Sequence, residues 1–180
     1  MKILGFIAAL FLSSVAFGQE FLTKNGEVTF LSKAPLNEFE GKSSLLNGLI
    51  DLDKNLLDFY VDLNTLKTGI GLRDSHMREN YLETDKFPFA EFTGKIDEKP
   101  NLQVGDRRSV KAVGTFKIHG VERDIEVLGY LTKLQNGKLE LDASFDILLS
   151  DYKIPIPKLV FYELAEVQKV TIKATLTQKK

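Results

Sequence analysis

The chain has 180 residues, 43% of them apolar and 27% charged, an ordinary globular balance with room for one domain. Its 24 basic and 25 acidic residues leave a net charge of −1, which argues against a nucleic-acid partner. Cysteine is absent, which excludes disulfides, thiolate nucleophiles, Fe–S clusters and Cys-ligated zinc; only His76 and His119 remain for imidazole chemistry.

In chain order, Lys2 is followed by an apolar run from Ile3 to Phe17, broken only by Gly5, Ser13 and Ser14. Ala16 and Gly18 put small residues three and one positions before Gln19. This reads as a secretory signal peptide over residues 1–18, with the folded domain at 19–180. The run is shorter than the roughly 18–20 apolar residues of a membrane span. Cleavage removes one base, Lys2, and no acid, so the net charge becomes −2. The predicted destination is the periplasm or the exterior, after cleavage near Gly18/Gln19.

Beyond it, alternation of period two dominates. Residues 27–31 give a first short strand; Gly48, Ile50 and Leu52 give a second apolar face, closed by a turn at Asp53-Lys54-Asn55. Leu57, Phe59, Val61 and Leu63 form a third. Residues 65–88 are too long and polar for a hairpin loop, and Arg73 to Leu82 is predicted as a short helix with Asp74 and Arg78 one turn apart. Residues 90–97 resume the strands. Residues 108–118 put Val110, Ala112, Gly114, Phe116 and Ile118 on one face, and His119-Gly120 reads as a hairpin turn with His119 exposed. Ile125, Val127, Gly129 and Leu131 follow, then a second hairpin at Asn136-Gly137, then Leu139, Leu141, Ala143, Phe145 and Ile147. Pro155 and Pro157 exclude a central strand between 149 and 165, where Leu159 to Ala165 is predicted as a helical turn. Val170, Ile172, Ala174 and Leu176 close the series.

About eight strands with mostly short connections predict an antiparallel all-β domain that closes into a barrel. Eight strands leave an interior either filled by side chains or just wide enough for one small ligand. Gly94, Gly114 and Gly129 in mid-strand fit bends and bulges as well as a ligand's close approach. The opposite strand faces carry Lys111, Lys117, Glu126, Lys138, Glu140 and Lys173, so the apolar faces turn inward, the reverse of an outer-membrane barrel.

Residues 68–94, TGIGLRDSHMRENYLETDKFPFAEFTG, resemble the signature of the YceI-like, polyisoprenoid-binding family. The match lies at Arg73, Asp74, His76, Met77 in place of Leu, Tyr81-Leu82, Phe87-Pro88 and Phe92. Gly114 with Phe116-Lys117-Ile118-His119-Gly120 resembles the family's Gly-x-Leu-Thr-Ile-x-Gly hairpin, with Phe-Lys replacing Leu-Thr, and Val167 to Leu176 resembles its last strand. Residues 32–44 lack the family's common His-containing pattern. The resemblance implies a lipocalin-like eight-stranded antiparallel barrel with a short helical insertion between strands three and four. It further implies an apolar tunnel holding an isoprenoid or other long-chain amphiphile, in storage or transport. The candidate lining residues are Phe59, Val61, Phe92, Val110, Ala112, Phe116, Ile125, Val127, Phe145 and Ile172.

Arg73, Asp74 and His76 form the one dense polar cluster, and two readings of it stay open. As a head-group site, Arg73 offers a planar fork to phosphate or carbonyl oxygens, His76 donates to the same group, and Asp74 orients either. As a structural pin, Asp74 pairs with Arg73 or Arg78 and holds the insertion to the barrel. No nucleophile–base–orienter arrangement is legible, so no catalytic residue, metal site or cofactor is assigned and the expectation is a binding protein rather than an enzyme. An enzyme acting on an isoprenoid in the cavity and a stress-related barrel with a packed core are the alternatives. Transient membrane contact and a homodimer are both compatible with such a carrier.

Overall fold

The computed structural model describes residues 18–156 and 164–179. The predicted signal peptide, apart from Gly18, and most of the predicted turn at 159–165 lie outside the described residues; Leu164 and Ala165, which are described, are not helical.

Eight antiparallel strands follow one another around a closed barrel: β1 (Glu20–Ala34), β2 (Asn37–Asp51), β3 (Leu56–Asp62), β4 (Phe89–Ile96), β5 (Arg107–Ile118), β6 (Val121–Lys133), β7 (Leu139–Leu148) and β8 (Val167–Gln178), with β8 pairing back onto β1. Closure gives every strand two neighbours, although β6 meets β7 only from Leu128 onward. Side chains alternate as the sequence demands, with Leu57, Phe59 and Val61 buried and Leu56, Asp58 and Tyr60 exposed. The outer faces carry ion pairs such as Lys111–Asp97 at 3.0 Å and Lys117–Glu91 at 3.2 Å.

The first hairpin is longer than the predicted strands at 27–31 and 48–52. Its register shifts between Thr23 and Val28, around Gly26 opposite Leu46. In β1 the buried positions pass from Phe21 and Thr23 to Gly26, Val28 and Ser32; in β2 they pass from Gly41 and Ser43 to Leu46, Gly48 and Ile50. A bulge adds one residue and reverses which parity points inward. A period-two reading therefore breaks in the middle of two continuous strands.

Gly94 of β4 sits opposite Gly114 of β5, with the Phe92 ring over both. A Cβ at Gly94 would come within 2.5 Å of the Val113 carbonyl oxygen, so this glycine pair serves a close approach of two strands. The turn between β5 and β6 holds His119 at φ 53° and Gly120 at φ 70°, the left-handed pair of a tight two-residue hairpin.

One end of the barrel is sealed. Phe21, Leu139 and Leu176 are fully buried there, and Lys133 lays its ammonium 4.1 Å from the centre of the Phe21 ring. Burial pushes the Lys133 amine below its ordinary value. At the other end lie the β1–β2 turn, the insertion between β3 and β4, and the segment after β7. The insertion is an α-helix, α1 (Gly71–His76), continued by a π-helical turn over Met77–Tyr81. It therefore starts two residues before the predicted helix and ends one residue sooner.

Candidate functional site

Inside the barrel is a cavity of about 790 Å³, lined almost wholly by apolar side chains. That is near the upper end of ordinary small-molecule sites. The interior is thus not a filled core. Of the candidate lining residues, Phe59, Val61, Phe92, Val110, Ala112, Phe116, Val127, Phe145 and Ile172 face the cavity. Ile125 does not, and it packs against the core cluster instead. β6 pairs with β7 only from Leu128 onward, and Ile125 lies further along the half-strand held by β5 alone than Val127, which still reaches the cavity. Residues 149–152, a 3-10 turn, pack against β6 and β7 there, and Tyr152 meets the Phe116 ring edge-on at 5.6 Å.

The insertion supplies, beside the expected Arg73, lining residues that the sequence reading did not name: Ile70, Met77 and Tyr81. Ile70, Arg73, Met77 and Tyr81 all face the cavity, and their spacing of three and four residues is a helical face. That signal was present beneath the polar composition of the segment. Phe30, Phe39 and Leu46 of the long first hairpin line it too, hidden by the bulge. At the opening, Leu36, Ile70 and Leu72 line the cavity while standing largely exposed, Leu36 at 78%.

The polar cluster divides. Arg73 and His76 border the cavity, whereas Asp74 does not. The Arg73 guanidinium carbon lies over the Phe39 ring, 4.3 Å from its centre. Its Nε donates to the Thr68 hydroxyl at 3.0 Å and its Nη2 to the Thr68 carbonyl at 3.2 Å. His76 is exposed beside it.

Asp74 is 6% exposed and accepts from the Thr68 amide at 2.8 Å and the Thr68 hydroxyl at 2.6 Å. The expected pairing of Asp74 with Arg73 or Arg78 is therefore corrected. Thr68 sits between Asp74 and Arg73, and Arg78 contributes only its field, with Nη1 buried and unpartnered among the described residues. Thr68 thus ties the start of α1 to the guanidinium, and Asp74 acts on Arg73 through that hydroxyl. Burial alone would raise the Asp74 carboxyl, but the two Thr68 hydrogen bonds, with Lys67 and Arg78 nearby, outweigh it and hold the group below its usual value. A depressed carboxylate stabilises the fold above its unfolded pKa, and that contribution is lost as pH falls through the folded value. Asp74→Asn should lower the thermal midpoint at neutral pH, with a cost of about 1–3 kcal/mol for the disrupted buried bonds. The gap to the native protein should narrow in acid, below the ordinary carboxylate range. Melting curves across pH check this, and a gap that stays constant contradicts it.

His119 also departs from the sequence reading. Its side chain is only 9% exposed. Nδ1 lies 3.0 Å from the Tyr152 carbonyl and Nε2 3.0 Å from the Glu83 carboxylate, while Phe87 meets the ring edge-on at 5.1 Å. Lys86 and then His119 hold the Glu83 carboxyl below its usual value. His119 is thus a clamp between the β5–β6 turn, the end of the insertion and the segment after β7. Among the described residues, no group of three or more His, Asp or Glu side chains is placed to hold a metal ion.

The model of the YceI-like domain matches residues 19–177. The chain belongs to the YceI-like family. No curated protein matches this YceI-like chain. Among solved structures, a polyisoprenoid-binding domain from Saccharophagus degradans implicated in plant cell wall breakdown superposes with a TM-score of 0.79 at 21% identity, covering 90% of this chain and 99% of that one. Burkholderia cenocepacia BcnA superposes at 0.66 with 16% identity, covering 84% and 96%. A Campylobacter jejuni YceI protein gives 0.62 with 20% identity, covering 82% and 87%. At these identities the likeness shows the fold: a YceI-like closed barrel with its helical insertion between β3 and β4.

Proposed function

We propose that this YceI-like barrel binds a polyisoprenoid or similar long-chain amphiphile, tail inward, as an exported storage or transport protein. The observation that carries the reading is the apolar cavity of about 790 Å³, sealed at one end and bordered at the other by Arg73 and His76. The Saccharophagus degradans relative, named for polyisoprenoid binding, supports the ligand class. The reading is one of binding, without a chemical step. Export to the periplasm or beyond rests on the signal-peptide pattern before Gln19. Gln19 already donates its backbone N–H to Asp53 at 2.8 Å, so a new amino terminus there would face a carboxylate.

Native mass spectrometry of the gently purified exported protein tests both parts. The expected result is a chain beginning at Gln19 that carries an apolar adduct released on denaturation. A ligand-free chain that takes up no added prenyl amphiphile overturns the binding reading, and an uncleaved chain overturns the export reading.

The head-group role of Arg73 has its own test. Arg73→Ala should weaken a ligand with a phosphate or carbonyl head by about 1–3 kcal/mol, the worth of a charge-assisted hydrogen bond. A headless hydrocarbon of equal length should bind as before. Equal losses for both ligands, with a lower thermal midpoint, would instead make Arg73 a pin for the insertion.

A further inference from the structure

We infer that the sealed end of the barrel sets the length of chain the cavity accepts, with Leu131 as the residue that fixes the limit. The inference rests on the proposed binding function and adds a specificity determinant to it.

Two layers of side chain lie at that end. The lower one, Phe21, Leu139 and Leu176, is fully buried and does not reach the cavity. Leu139 and Leu176 are direct cross-strand partners, and Lys133 covers the Phe21 ring. The upper layer does reach the cavity and forms its floor: Ile50, Leu57, Ile96 and Leu131. Leu131 is 1% exposed and belongs to the part of β6 that is paired on both sides, to Arg108 of β5 and Leu141 of β7. A residue held by two ladders, with a fully packed layer beneath it, has nowhere to retreat when a chain end presses on it.

The polar groups lie at the opposite end, so an amphiphile enters tail first and its last carbons meet this floor. From Val110 to Ile118, β5 lines the cavity over a tilted path of roughly 26 Å, or about 20 Å along the barrel axis. Within that length, each added unit buries apolar surface. Beyond it, added units remain at the mouth in water and contribute little.

The test is a series of all-trans prenyl alcohols of increasing length, measured by competition against a fluorescent fatty-acid probe on the intact protein. In the native protein, affinity should rise with each unit and then break to a plateau. Leu131→Ala, which deepens the floor, should move the break to a longer chain by about one unit. Leu131→Phe, which raises the floor, should move it to a shorter chain, with the shortest alcohols bound as before. The two variants shift the limit in opposite directions, which a general loss of stability does not. Ile96→Ala probes the same floor from β4 where a Leu131 variant fails to fold. A break that stays at one length in the folded variants, or no break in the native protein, overturns the length limit and leaves the site standing. Failure of the native protein to bind any of the alcohols overturns the binding reading itself.

Discussion

Ala112→Phe should abolish ligand binding, with at least a tenfold loss of affinity, while the barrel still folds. Ala112 is buried on β5, between Ile96 of β4 and Val127 of β6 in the cross-strand ladder, and its methyl group faces the cavity. A benzyl group there points into open space and fills the path a bound chain must follow. In a filled interior the same change would overpack neighbours and cost about 1–3 kcal/mol. Here the thermal midpoint should stay within a few degrees of the native value. For a domain of this size, each kcal/mol is worth roughly 2–4 °C. Calorimetric melting paired with a prenyl-alcohol titration separates the two outcomes. A large loss of stability with undiminished binding would mean that the chain does not pass Ala112.

The four C-terminal strands were legible because their alternation runs unbroken. β5 carries Val110, Ala112, Gly114, Phe116 and Ile118 inward across its length, and β8 does the same with Val170, Ile172, Ala174 and Leu176. The first hairpin was read only in fragments, because the shift around Gly26 and Leu46 reverses the inward parity within both strands. Lining residues on regular strands could therefore be named, whereas Phe30 and Phe39 could not. Ile125 has the right parity and still misses the cavity, while Val127 on the same half-strand reaches it, since strand parity says nothing about how far along a strand the cavity extends. The 68–94 motif located Arg73 and His76 at the mouth, but it could not say that Thr68 stands between Arg73 and Asp74. That arrangement depends on how the chain enters α1, with Gly69 at φ 81° turning it back. His119 departs from the expected exposure for a related reason: a turn position with positive φ is ordinarily exposed, and its burial comes from two segments distant in sequence that fold over it.

His119→Gly should destabilise the protein by about 2–4 kcal/mol and speed ligand release, although it removes a side chain from a turn. Glycine accepts the φ of 53° at least as readily as histidine, so the backbone is not strained and the loss reports the side-chain contacts together with glycine's greater freedom in the unfolded chain. Those contacts are the bonds to the Tyr152 carbonyl and the Glu83 carboxylate and the edge-on packing of Phe87. Both polar partners are acceptors, so the ring makes both bonds as donor only when each nitrogen carries a proton. Their removal leaves the Tyr152 carbonyl without its histidine partner beneath the fold of residues 149–156, with a cost of about 1–3 kcal/mol. It also frees the end of the insertion at Phe87. Through Leu149 and Ile154, that segment walls the cavity where β6 lacks a β7 partner. Loosening it opens a second route out of the barrel, so the off-rate of a bound prenyl alcohol should rise more than its on-rate. Stopped-flow release from His119→Gly, compared with the native protein at one temperature, reads this directly. An unchanged off-rate with a lowered thermal midpoint would confine His119 to holding the fold.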